Sequence, residues 1–409
     1  MKKQIYLEAI RGLAAVLVVF HHYFCAFYPA SVFGSDCKAH APWEKLFTTT
    51  PLGIVLAGLS AVCLFFILSG YVLSLPYFGD SSRDTNHLLA ALVKRPFRLA
   101  GIVIASEVVA FFLLRTCGFY NLEVCKVSYS IPWFATDGAP IAVSFKRFVL
   151  DLATHPFAKG TFYDNPLWTI AIELNGSILI FIFLLLFRRS SLRPLAYLWA
   201  LGYFHGYLYQ GFIFGILLAD MSRTQFVVME RFSKGSFTYP LLLIGLILAA
   251  YPTRVSQADL AQTFYGKLPP LRGLGGGYSM LGALIVFVAV VLSASKQRIL
   301  EFPLFAFLGR ISYALYAFHF LVLGTLSSWL FLRLLPKMSY NQSFVITFLV
   351  SLAVLIPASN YISKYIDKPV TNFADYVGKL WLRSIPTVFS GDPKLQIDSL
   401  KKDTVGGHG

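Results

Sequence analysis

The chain has 409 residues, of which 56% are hydrophobic, 16% aromatic and only 13% charged, with a formal net charge of +15. The apolar excess excludes a water-soluble globular domain, and many runs approach the ~20 residues that cross a bilayer as a helix, which marks a polytopic membrane protein. Lys and Arg cluster between the apolar runs instead of forming one stripe or tail, so they act as topology signals and argue against a nucleic-acid partner.

Apolar runs fall at about 7–28, 51–75, 97–116, 166–187, 194–204, 208–222, 236–251, 276–295, 304–328 and 342–363. They predict an all-α integral membrane bundle of about 10 transmembrane helices. With Lys2 and Lys3 inside, the short cytoplasmic connections hold Arg83, Lys94 and Arg95, then Arg188, Arg189 and Arg193, then Arg223, Arg231 and Lys234, then Lys296 and Arg298. That agrees with the positive-inside rule and places both termini in the cytoplasm. Residues 194–222, where two short runs flank Gly202, His205 and Gly206, read either as two crossings or as one broken, re-entrant element. The first run lacks a small-residue cleavage site and is expected to stay as a span. A membrane domain is expected over 1–375, and a flexible cytoplasmic tail over 376–409, where Pro386, Gly391, Pro393 and an isolated His408 lie. Of the five cysteines, Cys25 and Cys63 fall in apolar runs, whereas Cys37, Cys117 and Cys125 fall in segments expected on the non-cytoplasmic side. Cys117 with Cys125 is the favoured bridge if that compartment is oxidising. No Cys or His spacing fits a zinc site, so no metal is expected.

Ionisable groups inside apolar runs carry the functional signal, because a charge at mid-membrane depth costs a few kcal/mol or more. Arg11 and His22 lie eleven residues apart in LEAIRGLAAVLVVFHHYF. That is about three helical turns, so they share one face about 16 Å apart, while His21 points about 100° away. Either they form a functional stripe, or Arg11 snorkels to the surface and His22 is simply hydrogen-bonded. Ser69 and Gly70 in FFILSGYVLS leave room for a ligand or for a neighbouring helix. Arg95 and Arg98, at i and i+3, present two guanidinium forks suited to phosphate oxygens, or else anchor the cytoplasmic face. Glu173 follows Trp168 inside the fourth run and needs a partner there, with His22 and Arg11 as candidates and a purely structural ion pair as the alternative. Ser312, Tyr313, Tyr316 and His319 bring polar groups at helical spacing to the ninth run, and Tyr316 and His319 can line one groove face.

Taken in order, these segments resemble the acyltransferase family 3 membrane proteins, which O-acylate surface polysaccharides, lipopolysaccharide and peptidoglycan. The first-span pattern is matched by Glu8, Arg11, Gly12 and His22, and the FF-x-LSGY segment from Phe65 to Tyr71. The R-x-x-R element is matched by Arg95 and Arg98, and the tryptophan-to-glutamate segment by Trp168 and Glu173. The G-[KR]-I-S-Y-x-L-Y-x-x-H element runs from Gly309 to His319, and Asp367, Lys368 and Pro369 match the acidic-basic-Pro motif that ends the last span. Glu8 replaces the usual Asp with the charge kept, and WTIAIELNGS departs from the common fourth-span motif.

The resemblance implies a membrane O-acyltransferase of the plasma (inner) membrane. It would move an acyl group, most simply acetyl from acetyl-CoA, from a cytoplasmic acyl-CoA to a hydroxyl of a cell-surface or lipid-linked glycan. Arg95 and Arg98 would take the donor's phosphates, Ser69 and Gly70 would make room for its pantetheine arm, and His22 would act as general base. Glu173 would orient His22, Arg11 would balance charge along the donor path, and Trp168, Tyr316 and His319 would contact substrate. Membrane lipids complete the expected partners. The competing class is a transporter of an anionic or lipid-linked substrate with Arg11, His22 and Glu173 along its path, but the inverted repeats that would favour it are not seen.

Overall fold

A computed structural model of the protein describes residues 4–78, 85–135, 144–154, 164–224 and 233–384. Lys2, Lys3, Arg83, Arg231, His408 and the tail over 385–409 lie outside the described residues. Regular structure among the described residues is helical, without strands. The principal helices are α1 (Ile5–Phe27), α2 (Gly58–Ser74), α3 (Thr85–Thr116), α4 (Trp168–Phe187), α5 (Arg193–Tyr203), α6 (Gln210–Thr224), α7 (Gly235–Ala249), α8 (Tyr278–Val291), α9 (Pro303–Val322), α10 (Tyr340–Ile362) and α11 (Lys368–Ser384).

Six helical runs among the described residues are long and apolar enough to cross a membrane: Ile5–Phe27, Gly58–Tyr77, Thr85–Thr116, Asn165–Phe187, Pro303–Leu334 and Tyr340–Ser384. A seventh counts if α8 and Ala294–Leu300, bent by 99° at their junction, make one span. The 194–222 stretch is a helical hairpin. The start of α5 meets the end of α6 where the Arg193 Nε and the Tyr197 hydroxyl donate to Asp220 Oδ2 at 2.8 and 3.1 Å. Its turn is tied to a neighbouring loop, because the Gln210 amide donates to the Leu201 and Gly273 carbonyls and accepts from Gly275 N–H. A polar clamp of this kind satisfies backbone groups that lipid could not.

The architecture centres on α1 and α9, which lie side by side and run in the same direction. Gly12 abuts Leu308 and Gly309, Gly309 abuts the Glu8 carbonyl, and ten residues further along both helices His22 meets His319. A Cβ on either glycine would fall inside contact distance of the partner's backbone, so hydrogen as the side chain is what permits this approach. α2 runs antiparallel to α1, with Gly58 against His21 at one end and Tyr71 beside Tyr6 at the other. α10 is antiparallel as well, since the Tyr28 hydroxyl donates to Asn341 at its start and Ser363, just past its end, donates to the Arg310 carbonyl. The first turns of α1 and the last turns of α10 therefore share one end of the bundle.

Three sequence expectations need correction. Gly70 does not open space for a ligand: it faces the Phe212 carbonyl and Gly215 of α6, and that α2–α6 crossing uses the room. Cys117 and Cys125 are free thiols, Cys117 exposed and Cys125 buried with its sulfur 3.5 Å from the Ser130 hydroxyl. Asp367-Lys368-Pro369 does not end the last helix. A π-turn over Ser363–Asp367 joins α10 to α11, and such a turn re-registers the hydrogen bonds that a proline interrupts. The helix thereby continues through 376–384, beyond the domain boundary expected at 375.

At the opposite end, loops form a cap. The His40 ring stacks between Tyr340 and Tyr129, with centroids 3.9 and 5.4 Å away, and its Nε2–H donates to the Val127 carbonyl at 3.2 Å. Burial lowers the His40 pKa, which favours this neutral form. Burial also raises the Glu44 carboxyl, against the pull of the His40 and Ala41 amides that donate to it. The cap holds the segment that carries Trp133.

Replacing Gly309 with Ala is expected to cost on the order of 1–3 kcal/mol through overpacking. Gly202→Ala, where nothing lies within 4 Å of the added carbon, is expected to be neutral or mildly stabilising. Thermal midpoints of the two variants in lipid nanodiscs check both, and equal midpoints would contradict the close α1–α9 approach.

Candidate functional site

α1, α2, α3, α4, α9, the end of α10 and the start of α11 enclose a cavity of about 740 Å³. Its walls carry six cationic side chains, Arg11, Arg95, Arg98, Arg310, Lys364 and Lys368, against three carboxylates, Glu8, Glu173 and Asp367. Arg98, Arg310, Lys364 and Lys368 are exposed at the mouth, whereas Arg11 and Arg95 are half-buried. Phe65, Thr169, Ile170 and Tyr316 line the same cavity with apolar and hydroxyl groups. The cations come from separate helices, and their surplus makes the space suited to a ligand with several negative charges.

Two of the charges inside the cavity neutralise each other. The Arg95 Nη2 donates to Glu173 Oε1, its Nε donates to Ser177 Oγ at 2.8 Å, and Ser69 Oγ donates to the same Glu173 oxygen at 2.7 Å. Ser177 in turn donates to the Glu173 carbonyl at 2.7 Å, which closes the network. Glu173 therefore locks α3 to α2 and α4 and does not orient His22, and Arg95 is committed to this lock. Of the R-x-x-R pair only Arg98 projects to the mouth with its guanidinium outside that network. Arg11 lies within electrostatic reach of Glu8, Glu173, Asp367 and Arg98.

His22 does not line the cavity. Its Nδ1 is 2.7 Å from Nε2 of His319, which is fully buried, and the His319 Nδ1 is 2.7 Å from the Tyr316 carbonyl. The Tyr316 hydroxyl donates to the Pro166 carbonyl at 2.7 Å and lies equally close to the Thr169 hydroxyl. Tyr316 thus faces the cavity while its backbone supports the histidine pair one turn beyond. Trp133 lies within 11° of parallel to the His22 ring, with centroids 5.3 Å apart, and Phe320 meets it edge-on. His21 turns the other way, with its Nδ1 2.7 Å from the Leu56 carbonyl and its Nε2 3.5 Å from Cys25 Sγ. Trp168 is 39% exposed and outside the cavity lining.

The structure thus brings Arg11, Ser69, Arg95, Arg98, Glu173 and Tyr316 to one cavity, joins His22 to His319 beyond it, and leaves Gly70 and Trp168 aside. Sequence reasoning missed Arg310, Lys364, Asn360 and Trp133. Asn360, Lys364, Asp367 and Thr371 fall at three- or four-residue intervals with Lys368 next to Asp367, a helical face that would have revealed the mouth had the helix been carried past Asp367. Trp133 follows a short non-spanning segment and offers no such signal. Among the described residues no group of three or more His, Cys, Asp or Glu is placed to hold a metal ion.

Comparison with known proteins adds an independent finding. The family model for acyltransferase family 3, described as an acyltransferase domain, matches residues 4–359. The chain is similar to "Acyltransferase clz18" of Cochliobolus lunatus, 24% identical with 90% of this chain and 94% of the relative covered. It is also similar to "Acyltransferase R4" of a Phoma species, at 24% with 83% and 84% covered, and to "O-acetyltransferase PaAT-1" of Phomopsis amygdali, at 22% with 88% and 82% covered. No solved structure matches.

Removing one partner of the Arg95–Glu173 pair, as in Glu173→Gln or Arg95→Met, is expected to destabilise the protein by about 3–5 kcal/mol, because a buried charge loses its counter-charge. Arg95→Met with Glu173→Met should recover much of that loss. Thermal midpoints of the single and double variants test this, and strictly additive losses would argue against a paired lock.

Proposed function

Because the chain belongs to acyltransferase family 3, we propose that it is a membrane O-acyltransferase that transfers an acyl group, most simply acetyl, from acyl-CoA to a hydroxyl of a glycan or lipid-linked saccharide. The observation that carries the donor assignment is the cavity in which six cationic groups face three carboxylates. A coenzyme A thioester presents a diphosphate and a ribose phosphate on one end and an uncharged reactive arm on the other, matching a cationic mouth that leads to an apolar and hydroxyl-lined end. Arg98, with Arg310, Lys364 and Lys368 beside it, takes the phosphates by charge-assisted hydrogen bonds. Arg95 shapes the pocket through its pair with Glu173, and Arg11 balances charge along the donor path.

In this mechanism His22 is the general base. Its Nε2 accepts the proton of the acceptor hydroxyl as that oxygen attacks the thioester carbonyl carbon. The C–O bond forms, the C–S bond breaks, and the departing thiolate takes the proton back as the coenzyme A thiol. His22 lies about 16 Å along α1 from Arg11, so donor phosphates and reacting centre sit at opposite ends of a long path. The cap around Trp133 faces the acceptor side. The cavity mouth opens to the cytoplasm of the plasma membrane, with both termini on that side, and α5 to α8 complete about ten crossings with the six long runs. The name of the Phomopsis amygdali relative supports oxygen as the acceptor atom and acetyl as the group.

Purified protein in lipid nanodiscs is expected to release thiol from acetyl-CoA when a glycan fraction is supplied. His22→Ala should lower kcat by about 100-fold or more, the scale of a lost general base. Arg98→Gln with Lys364→Gln should raise the KM for acetyl-CoA several-fold with a smaller effect on kcat, as expected where phosphate binding is lost uniformly. Absence of both acyl-CoA binding and turnover, with longer acyl donors also inert, would turn the assignment to a transporter for an anionic substrate.

A further inference from the structure

We propose that His319 is a positioning residue that holds His22 in the one neutral tautomer able to serve as a base. The proposal rests on the acyl-transfer reading above and assigns His319 a role other than substrate contact. It follows from the direction of two hydrogen bonds. A carbonyl oxygen only accepts, so the 2.7 Å contact between His319 Nδ1 and the Tyr316 carbonyl requires a proton on Nδ1. Neutral imidazole carries one N–H, and Nε2 of His319 therefore presents a lone pair. The Nδ1 of His22, 2.7 Å from that Nε2, must then be the donor. His22 is left with its proton on Nδ1 and its lone pair on Nε2, the nitrogen without a hydrogen-bond partner among the described residues.

The surroundings remove the alternatives. The two rings are within 3° of coplanar with centroids 5.0 Å apart, which sets the nitrogens edge to edge. His319 has no exposed surface, so water does not compete for its Nε2. Trp133 and Phe320 each lie against the His22 ring and restrict its rotation. Adjacent His21 meets the first half of the same requirement through the Leu56 carbonyl, but its Nε2 rests against Cys25. When His22 takes the acceptor's proton it becomes an imidazolium, and the Nδ1–H bond to His319 becomes charge-assisted and stronger. When Nε2 returns that proton to the thiolate, the pair is restored with no net change. The carbonyl of Tyr316, a residue that faces the donor cavity, thus determines which nitrogen of His22 can act.

The test compares His319→Gln and His319→Leu in nanodiscs by steady-state kinetics with acetyl-CoA, alongside thermal midpoints. Gln retains an oxygen that can accept from His22 Nδ1–H, whereas Leu offers none. The expected result is a kcat lowered about 100-fold in the Leu variant, with KM for acetyl-CoA unchanged, and a kcat within about 10-fold of wild type in the Gln variant. Adding His319→Leu to His22→Ala should cause no further loss, because a residue acting only through His22 has nothing left to act on. A Leu variant with wild-type kcat, a parallel change in KM, or a further loss in the double variant would overturn the proposal. Should Leu fail to fold, the Gln variant decides: a loss beyond about 10-fold at an unchanged midpoint counts against it. Wild-type protein without turnover would instead sink the acyl-transfer reading, and this proposal with it.

Discussion

The direct backbone contact between α1 and α9 is the constraint on which the site depends. Gly12 against Gly309 lets two parallel helices approach until main chain meets main chain, and rigid helices then carry that register along their whole length. At one end the contact aligns Glu8 and Arg11 with Arg310. Three turns further it sets His22 against His319. A single close crossing therefore specifies both the charged end of the cavity and the histidine pair, and a bulkier residue there would separate both at once.

Charge is distributed along this frame according to what each depth tolerates. In the half-buried interior, Arg95 and Glu173 satisfy each other with Ser69 and Ser177 completing the shell, since an unpaired charge in a low-dielectric setting is costly. At the mouth, Arg98, Arg310, Lys364 and Lys368 are exposed and form no salt bridge among the described residues, so an anionic ligand could reach them directly. Past Tyr316 the charges give way to two imidazoles, which can take up and release a proton without holding a permanent charge, and to the aromatic rings packed on them. The acyl-CoA donor proposed above, polyanionic at one end and uncharged at the other, would follow this gradient.

Much of the helical framework was legible from hydropathy, because lipid forces each spanning segment to hydrogen-bond its own backbone and so to declare itself as an apolar run. Motif order pointed to Arg11, Ser69, Arg95, Arg98, Glu173 and Tyr316, and these do meet at one cavity. Their partners were not legible. Glu173 had His22 and Arg11 as candidate partners and took Arg95, which sits on a separate helix about eighty positions away. Gly70 looked like space for a ligand and proved to be space for α6. Lys364 escaped notice because Asp367-Lys368-Pro369 reads as a helix end, whereas a π-turn carries the chain on.

The sequence by itself determined that this chain is a helical membrane protein of acyltransferase family 3, and it named most of the ionisable groups that line the cavity, because charges within apolar runs are too costly to be left without a partner. Only the tertiary structure decided which of those groups pair, which line the cavity and which nitrogen of His22 meets His319. Those outcomes depend on contacts a few ångströms long between helices distant in the chain, and helical periodicity orders residues along one helix without saying what stands across from it.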